Sequence, residues 1–177
     1  MNKAFTKESD DAWEPVPELK DPLPKGVKNY VTPEGAESLK KTLADLKRRR
    51  EALLSVINAG GTRTEEPSSL PPRQQLDELD RKIRFFAERV RTMLIVDPAG
   101  QDDTVIRFGA RVRVEDEEGR SAQYAIVGVD EADPRIGKIS FLSPIARALM
   151  GRAEGDEVEV ELPDGVRSLE IAEVNHA

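Results

Sequence analysis

The chain has 177 residues, of which 38% are hydrophobic, 5% aromatic and 34% charged, with a formal net charge of −7. It contains no cysteine and one histidine, His176, which excludes disulfides and thiolate metal sites and argues against a zinc enzyme or a histidine-based catalytic triad. No run approaches the roughly 18 apolar residues that span a bilayer, and the chain start lacks an apolar signal core, so we expect a cytoplasmic protein without a membrane partner.

Residues 1–31 are predicted to form an extended, disordered arm. Four prolines, Pro15, Pro17, Pro22 and Pro24, stand among scattered charges in this stretch. Its apolar residues are too sparse to build a core. At 177 residues the whole chain is long enough for one medium domain or two small ones, and two small domains are favoured.

A helix is predicted to begin at Pro33. Thr32 can accept a hydrogen bond from the first free amides, Pro33 suits the first helical position, and Glu34 favours the positive end of the helix dipole. Apolar residues then follow with a heptad pattern, in which Arg50 occupies the one missing position. These apolar residues are Leu39, Leu43, Leu46, Leu53 and Ile57. The glycines at 60 and 61 end the helix.

A second apolar seam follows, with alternating steps of three and four residues: Leu76, Leu79, Ile83, Phe86, Val90 and Met93. Two seams joined by one loop predict an antiparallel coiled-coil hairpin over residues 32–97, with its tip loop near residues 58–70. Roughly 26 residues in the first helix give an arm about 39 Å long. Two helices of an ordinary bundle are the alternative, which is less favoured because no third helix of similar length is predicted.

After residue 97 the pattern changes to short β-like runs separated by turn signals at residues 118–119, 133–134 and 163–165. The one helical candidate in this half runs from Pro144 to Met150. Residues 98–177 are therefore predicted to form a small antiparallel β-sheet domain with one short helix, and the fold class of the whole chain is α+β.

The sheet half is strongly acidic. Residues 98–177 hold nine Lys and Arg against 17 Asp and Glu. A free nucleic-acid binder usually has a basic domain, so this balance favours a protein partner.

In the sheet half, residues 109–133 and 139–151, which include the Ser143-Pro144 step, are followed by an acidic glycine turn at 154–158. These segments closely resemble the C-terminal domain of the Gre transcript-cleavage factors of bacterial RNA polymerase. Residues 26–36 and 80–86 resemble the GreB branch. The resemblance covers nearly the whole chain and implies a coiled-coil hairpin followed by a domain like that of the FK506-binding proteins.

The resemblance also implies a function. Gre factors are transcription elongation factors that bind RNA polymerase and insert the hairpin into its secondary channel, where two acidic tip residues help to hold the second catalytic Mg²⁺. A hard cation requires oxygen ligands, which explains the carboxylates. The expected protein is an accessory factor and not an enzyme, with no cofactor or metal of its own beyond a Mg²⁺ shared with the polymerase active centre.

The tip departs from the family pattern. Aligned to that pattern, Glu65 stands at the family's glutamate, Thr62 replaces its aspartate and Glu66 replaces its asparagine. A threonine hydroxyl is a weaker Mg²⁺ ligand than a carboxylate, and Pro67 disfavours helix in this segment. We therefore predict that Glu65 and Glu66 are the working tip carboxylates and that cleavage stimulation is poor. A regulator or inhibitor that occupies the channel without cleavage remains the alternative.

The resemblance places five residues at the polymerase-docking face: Asp130, Glu131, Asp133, Ser143 and Pro144. Without it, the acidic turn would be interpreted as solvated surface.

Basic residues on both helices form a second candidate surface. Lys47, Arg48 and Arg49 on the first helix, with Arg81 and Arg84 on the second, are predicted to contact nucleic acid or the polymerase channel. The alternative is a solvated helix face, with Arg50 extending beside the seam. Direct contact with nascent RNA or DNA within the complex is left open.

Two other function classes fit the sequence less well. A prolyl isomerase shares the general topology of the sheet domain, but so few aromatic residues give little material for a proline pocket. A coiled-coil holdase or scaffold would need an exposed apolar arm, whereas this seam is predicted to pair with itself. A monomer is expected.

Overall fold

The computed structural model describes residues 19, 21–60, 70–101, 104–163 and 165–176. Most of the predicted arm lies outside these residues. So do Thr62, Glu65 and Glu66, the residues singled out at the tip.

The first helix, α1, spans Pro33–Asn58 and begins where the capping signals predict. The Thr32 hydroxyl accepts a hydrogen bond from the Gly35 amide at 3.1 Å, which satisfies one of the free donors of the first turn. The second helix, α2, spans Pro72–Thr92 and packs along α1. Three leucines at seven-residue intervals are buried on α1: Leu39, Leu46 and Leu53. Their spacing confirms the predicted seam.

Arg50, the polar residue in the seam of α1, pairs across the hairpin with Asp80 of α2. Its Nε lies 2.5 Å from an Asp80 carboxylate oxygen, and both side chains are about one-third exposed, at 38% and 34%. Hydrogen bonding to Asp80 raises the pKa of Arg50 above its ordinary value. The missing apolar position is thus filled by an ion pair that joins the two helices.

The variants Arg50→Ala and Asp80→Ala are therefore expected to show a small favourable coupling, because each single change removes the same contact. Thermal unfolding of both single variants and the double variant measures it. The pair Asp45 and Arg48, which lies within α1 and is more exposed, serves as the control and should couple less. Strict additivity at positions 50 and 80 would contradict the expected pairing.

A two-stranded parallel sheet closes the base of the hairpin. Strand β1 (Asn29–Val31) precedes α1, strand β2 (Met93–Ile95) follows α2, and the two pair in parallel. Val31 is fully buried. For residues 29–31, the expectation of an extended arm is therefore corrected to a strand, because pairing with β2 satisfies their backbone groups and the hairpin base covers Val31.

The remaining elements form a five-stranded sheet and one short helix, α3. The sheet order is β5-β4-β3-β7-β6. The strands are β3 (Arg111–Asp116), β4 (Ser121–Val127), β5 (Lys138–Ser140), β6 (Glu157–Leu162) and β7 (Gly165–Asn175), and α3 spans Pro144–Leu149.

The sheet differs from the predicted antiparallel arrangement in one pair. Strand β5 runs parallel to β4, whereas the other paired strands are antiparallel. The turn between them holds a 3-10 segment, Pro134–Ile136, so the chain returns in the direction of β4 and does not form a tight hairpin.

One face of the sheet forms the main core. Along β3, Val112 and Val114 are buried while Arg111 and Arg113 face solvent, which is the alternation expected of a sheet with one covered face. Helix α3 covers this face, and its Ala146 and Leu149 are fully buried.

The two helices pack on each other and on β1 and β2, and they do not lie flat on the five-stranded sheet. A cluster of three rings joins the two parts. Tyr30 of β1 lies 5.8 Å, centroid to centroid, from both Phe108 and Phe141 of the sheet domain. Among the described residues, no helix combines the length and apolarity needed to cross a bilayer.

Candidate functional site

The predicted docking residues Asp130 and Glu131 lie at the junction between the hairpin and the sheet domain. The Asp130 carboxylate accepts hydrogen bonds from the guanidinium of Arg89 on α2, at 2.6 Å to Nη2 and 2.8 Å to Nε. The Asp130 side chain is only 8% exposed. Glu131 accepts a hydrogen bond from the Thr32 backbone amide at 3.0 Å and another from the Thr32 hydroxyl. The structure thus gives both carboxylates partners within the chain.

Asp133 holds the turn before β5. Its carboxylate accepts a hydrogen bond from the Arg135 amide and pairs with the Arg135 guanidinium at 2.8 Å. This pairing lowers the pKa of Asp133 below its ordinary range. The carboxylate is therefore ionised at neutral pH, and the interaction is lost as the pH falls through that lowered pKa.

Ser143 and Pro144 start α3. The Ser143 hydroxyl accepts a hydrogen bond from the Ala146 amide at 3.2 Å, and Pro144 occupies the first turn, where its missing amide is harmless. Pro144 is exposed. The Asp133 turn and the Ser143-Pro144 step lie on either side of β5, an edge strand of three residues that spans about 10 Å. The fold therefore brings these predicted residues to one edge of the sheet.

Ile136 is an apolar residue at this edge that the sequence analysis missed. Its side chain is 68% exposed, the largest value among the exposed large hydrophobic residues of the described chain. It lies in the 3-10 turn between Arg135 and Gly137, and Gly137 takes the left-handed conformation with φ of 74°. An isoleucine within a turn flanked by proline and glycine was the signal available, since turns favour polar residues.

The basic residues predicted for the channel or for nucleic acid lie on the hairpin surface. Lys47, Arg48, Arg49 and Arg84 are exposed, whereas Arg81 is partly buried. Arg48 also pairs with Asp45 one turn earlier, at 2.5 Å. The described structure is compatible with either reading of these residues, as a contact surface or as a solvated face.

The prolyl isomerase alternative finds little support in the described residues. The rings of Tyr30 on β1 and of Phe108 and Phe141 pack on each other, with centroids 5.8 Å apart, against the main core. A cavity of about 150 Å³ on the sheet surface is lined by polar and charged side chains, among them Arg111, Gln123 and Asn175. Such a lining does not provide an aromatic pocket for proline. Within the described ranges, no group of three or more His, Asp or Glu residues is arranged to hold a metal ion.

Comparisons with known proteins decide the family. Residues 101–176 match the family described as Transcription elongation factor, GreA/GreB, C-term. The transcription elongation factor GreB of Neisseria meningitidis serogroup B is 37% identical over 154 residues, which cover 84% of this chain and 94% of that protein. The chain belongs to the GreA/GreB family of transcription elongation factors.

A second GreB sequence agrees with this assignment. GreB of Yersinia pestis is 38% identical over 152 residues, which cover 84% of this chain and 89% of that protein. Among solved structures, a prokaryotic transcription elongation factor GreA/GreB from Nitrosomonas europaea is 27% identical and covers 84% of this chain and 98% of that chain, with a TM-score of 0.39. The family consists of accessory elongation factors and not of enzymes, as the resemblance implied.

Proposed function

We propose that this chain binds bacterial RNA polymerase through the β5 edge of its sheet domain and places the far end of its hairpin in the secondary channel. The observation that carries the proposal is the 37% identity to GreB of Neisseria meningitidis, over 84% of this chain and 94% of that protein. The geometry supports it, because α1 has 26 residues and is therefore about 39 Å long, long enough to reach from a docked domain into a channel.

The docking surface consists of Asp133, Ser143, Pro144 and the exposed side chain of Ile136. An ion-paired turn, an exposed proline and an exposed isoleucine give the mixture of polar and apolar groups that protein interfaces use. Asp130 and Glu131 contribute from beneath, since their carboxylates already bind residues of the hairpin. The basic residues of the two helices would face the channel wall or the nucleic acid within it.

The specific activity that we propose is regulation of the cleavage of backtracked transcripts. Glu65 and Glu66 would offer oxygen ligands to a Mg²⁺ in the polymerase active centre, and the chain adds no metal of its own. This donor set, two adjacent carboxylates and the Thr62 hydroxyl, is weaker than one with an aspartate at position 62. We therefore propose weak stimulation of cleavage. Occupation of the channel without cleavage is the second candidate, which the same threonine favours.

Docking is tested by the double variant Asp133→Lys with Pro144→Ala. Reversing the charge of Asp133 and removing the proline ring should sharply reduce co-purification with bacterial RNA polymerase, while circular dichroism should show an intact fold. The matched control makes equivalent changes, a charge reversal and a proline removal, at exposed positions near the opposite edge of the sheet, Glu159→Lys and Pro163→Ala. Equal recovery of polymerase with both variants would remove the β5 edge from the interface.

A further inference from the structure

Asp130 and Glu131 are adjacent in the chain, yet each contacts a different helix of the hairpin. Glu131 binds Thr32 at the start of α1, and Asp130 binds Arg89 near the end of α2. We propose that this acidic pair and its two partners form a two-point clamp that fixes the direction of the hairpin relative to the docking domain. The clamp is defined by Thr32, Arg89, Asp130 and Glu131.

The contact on α2 is buried and directional. The Arg89 side chain is 3% exposed and that of Asp130 is 8% exposed. Three guanidinium contacts reach the carboxylate, and the remaining nitrogen, Nη1, donates to Asp21 at 3.0 Å. A planar guanidinium that meets a carboxylate through two nitrogens restricts the angle as well as the distance between them. The desolvation cost of a buried pair offsets much of its attraction, so we assign this pair to orientation and not to net stability.

The contact on α1 is a short hydrogen-bond network in which both carboxylate oxygens of Glu131 take part. One oxygen of Glu131 accepts from the amides of Thr32 and Gly128, at 3.0 and 3.1 Å, and the other accepts from the Thr32 hydroxyl. The same hydroxyl accepts from the Gly35 amide. A negative carboxylate next to the first turn of α1 is also favoured by the helix dipole. Glu131 therefore holds the cap of α1 and, through Gly128, its own domain.

Gly35 supports this assignment independently. It lies in the first turn of α1, where glycine is less favourable than alanine. A Cβ at this position would collide with the Glu131 carboxylate, so the close approach requires glycine. The chain thus has a poor helix former at the point where the clamp needs space.

Contacts on both helices are needed because the hairpin is long, so that a small rotation at its base moves its far end a long way. With α1 about 39 Å long, a rotation of about 10° at its base moves its far end by about 7 Å. The ring cluster joins the two parts at Tyr30, and the contacts of Asp130 and Glu131 with both helices oppose such a rotation as well. In the proposed function, which this inference deepens, Arg89 and Glu131 are positioning residues that aim the hairpin after the sheet domain has docked.

The test measures the direction of the hairpin relative to the sheet domain in the free protein, without the polymerase. Because the natural sequence has no cysteine, Ala52→Cys on α1 and Glu159→Cys on β6, both exposed, accept spin labels selectively. Pulsed electron paramagnetic resonance then gives the distribution of distances between the two parts. The labelled chain with its natural clamp residues should give one narrow distribution of distances. The double variant Arg89→Met with Glu131→Ala should broaden and shift that distribution. The control is Arg91→Met with Glu117→Ala. Both residues are exposed, neither contacts another described residue across the junction, and the control should leave the distribution unchanged.

Two milder variants keep the test decisive if the double variant folds poorly. Arg89→Lys retains the charge but loses the planar fork, so its distribution should be intermediate. Gly35→Ala favours the helix but displaces Glu131, so it should broaden the distribution even while helix content is kept. Unchanged distributions in these folded variants, or a broad distribution in the natural clamp, would overturn the inference.

The polymerase separates this inference from the proposed function. The milder variants Arg89→Lys and Gly35→Ala change no residue of the docking surface, so they should bind polymerase with nearly natural affinity while losing part of the effect on stalled complexes. A natural chain that fails to bind polymerase would refute the proposed function, and the distance measurement would still decide the clamp. If these variants lost binding to polymerase as much as they lost the effect on stalled complexes, the positioning role of the clamp would be overturned.

Discussion

Replacing Thr62 with Asp is expected to increase the rate at which this protein stimulates cleavage of backtracked RNA, and replacing Glu65 and Glu66 with Ala is expected to abolish whatever stimulation the natural chain has. Each expectation follows from the number of carboxylates offered to Mg²⁺. Loss of even an indirect metal contact commonly costs about 10- to 100-fold, so the loss of two direct ligands should be at least as large. The measurement is the cleavage rate on one stalled polymerase complex.

The controls for the tip keep docking separate from chemistry. Glu65→Gln with Glu66→Gln retains the size of both side chains and removes their charge, so it should bind polymerase like the natural chain and fail to stimulate cleavage. Strong stimulation by the natural chain that survives loss of both glutamates would refute the carboxylate mechanism. No stimulation by either the natural chain or Thr62→Asp would support the channel-occupying alternative.

The substitution Ile171→Ala is expected to cost about 2 to 5 kcal/mol of the free energy of unfolding. Ile171 lies in β7, between β3 and β6, and its side chain is fully buried in the main core. Truncation removes buried apolar surface and leaves a cavity that rigid neighbouring strands cannot fill. Urea unfolding followed by circular dichroism measures the loss.

Ile136→Ala is the matched control, because it makes the same chemical change at a position that is 68% exposed. Its unfolding midpoint should stay close to the natural one, since surface changes usually cost about 0.5 kcal/mol or less. Equal shifts for the two variants would show that the assigned core is wrong. Ile136→Ala should instead weaken binding to polymerase, because this side chain belongs to the proposed docking surface.

The hairpin could be predicted closely from the sequence because its signals are local. Thr32, Pro33 and the leucine spacing depend only on neighbours within one or two helical turns. The predicted helix of roughly 26 residues from Pro33 matches α1 in both its start and its length. The same holds for the start of α3, where Ser143 caps the helix as the Ser-Pro step indicated.

The roles of Asp130 and Glu131 could not be predicted, because their partners are distant in the chain. Glu131 and Thr32 are 99 positions apart, and Asp130 and Arg89 are 41 apart. As an acidic turn, the pair is indistinguishable in sequence from solvated surface. The strand at residues 29–31 was missed for a similar reason, since β1 exists only by pairing with β2 after the whole hairpin has intervened.

The sequence by itself determined the α+β class, the two-helix seam, the short capped helix and, through its resemblance, membership of the GreA/GreB family. These properties depend on periodicity, on caps and on motifs that each lie within a short segment. Only the tertiary structure decided which charges face solvent and which hold the hairpin. The physical reason is that burial and pairing of a charged group depend on what the folded chain brings next to it, so the Arg89 and Asp130 pair has no local signature.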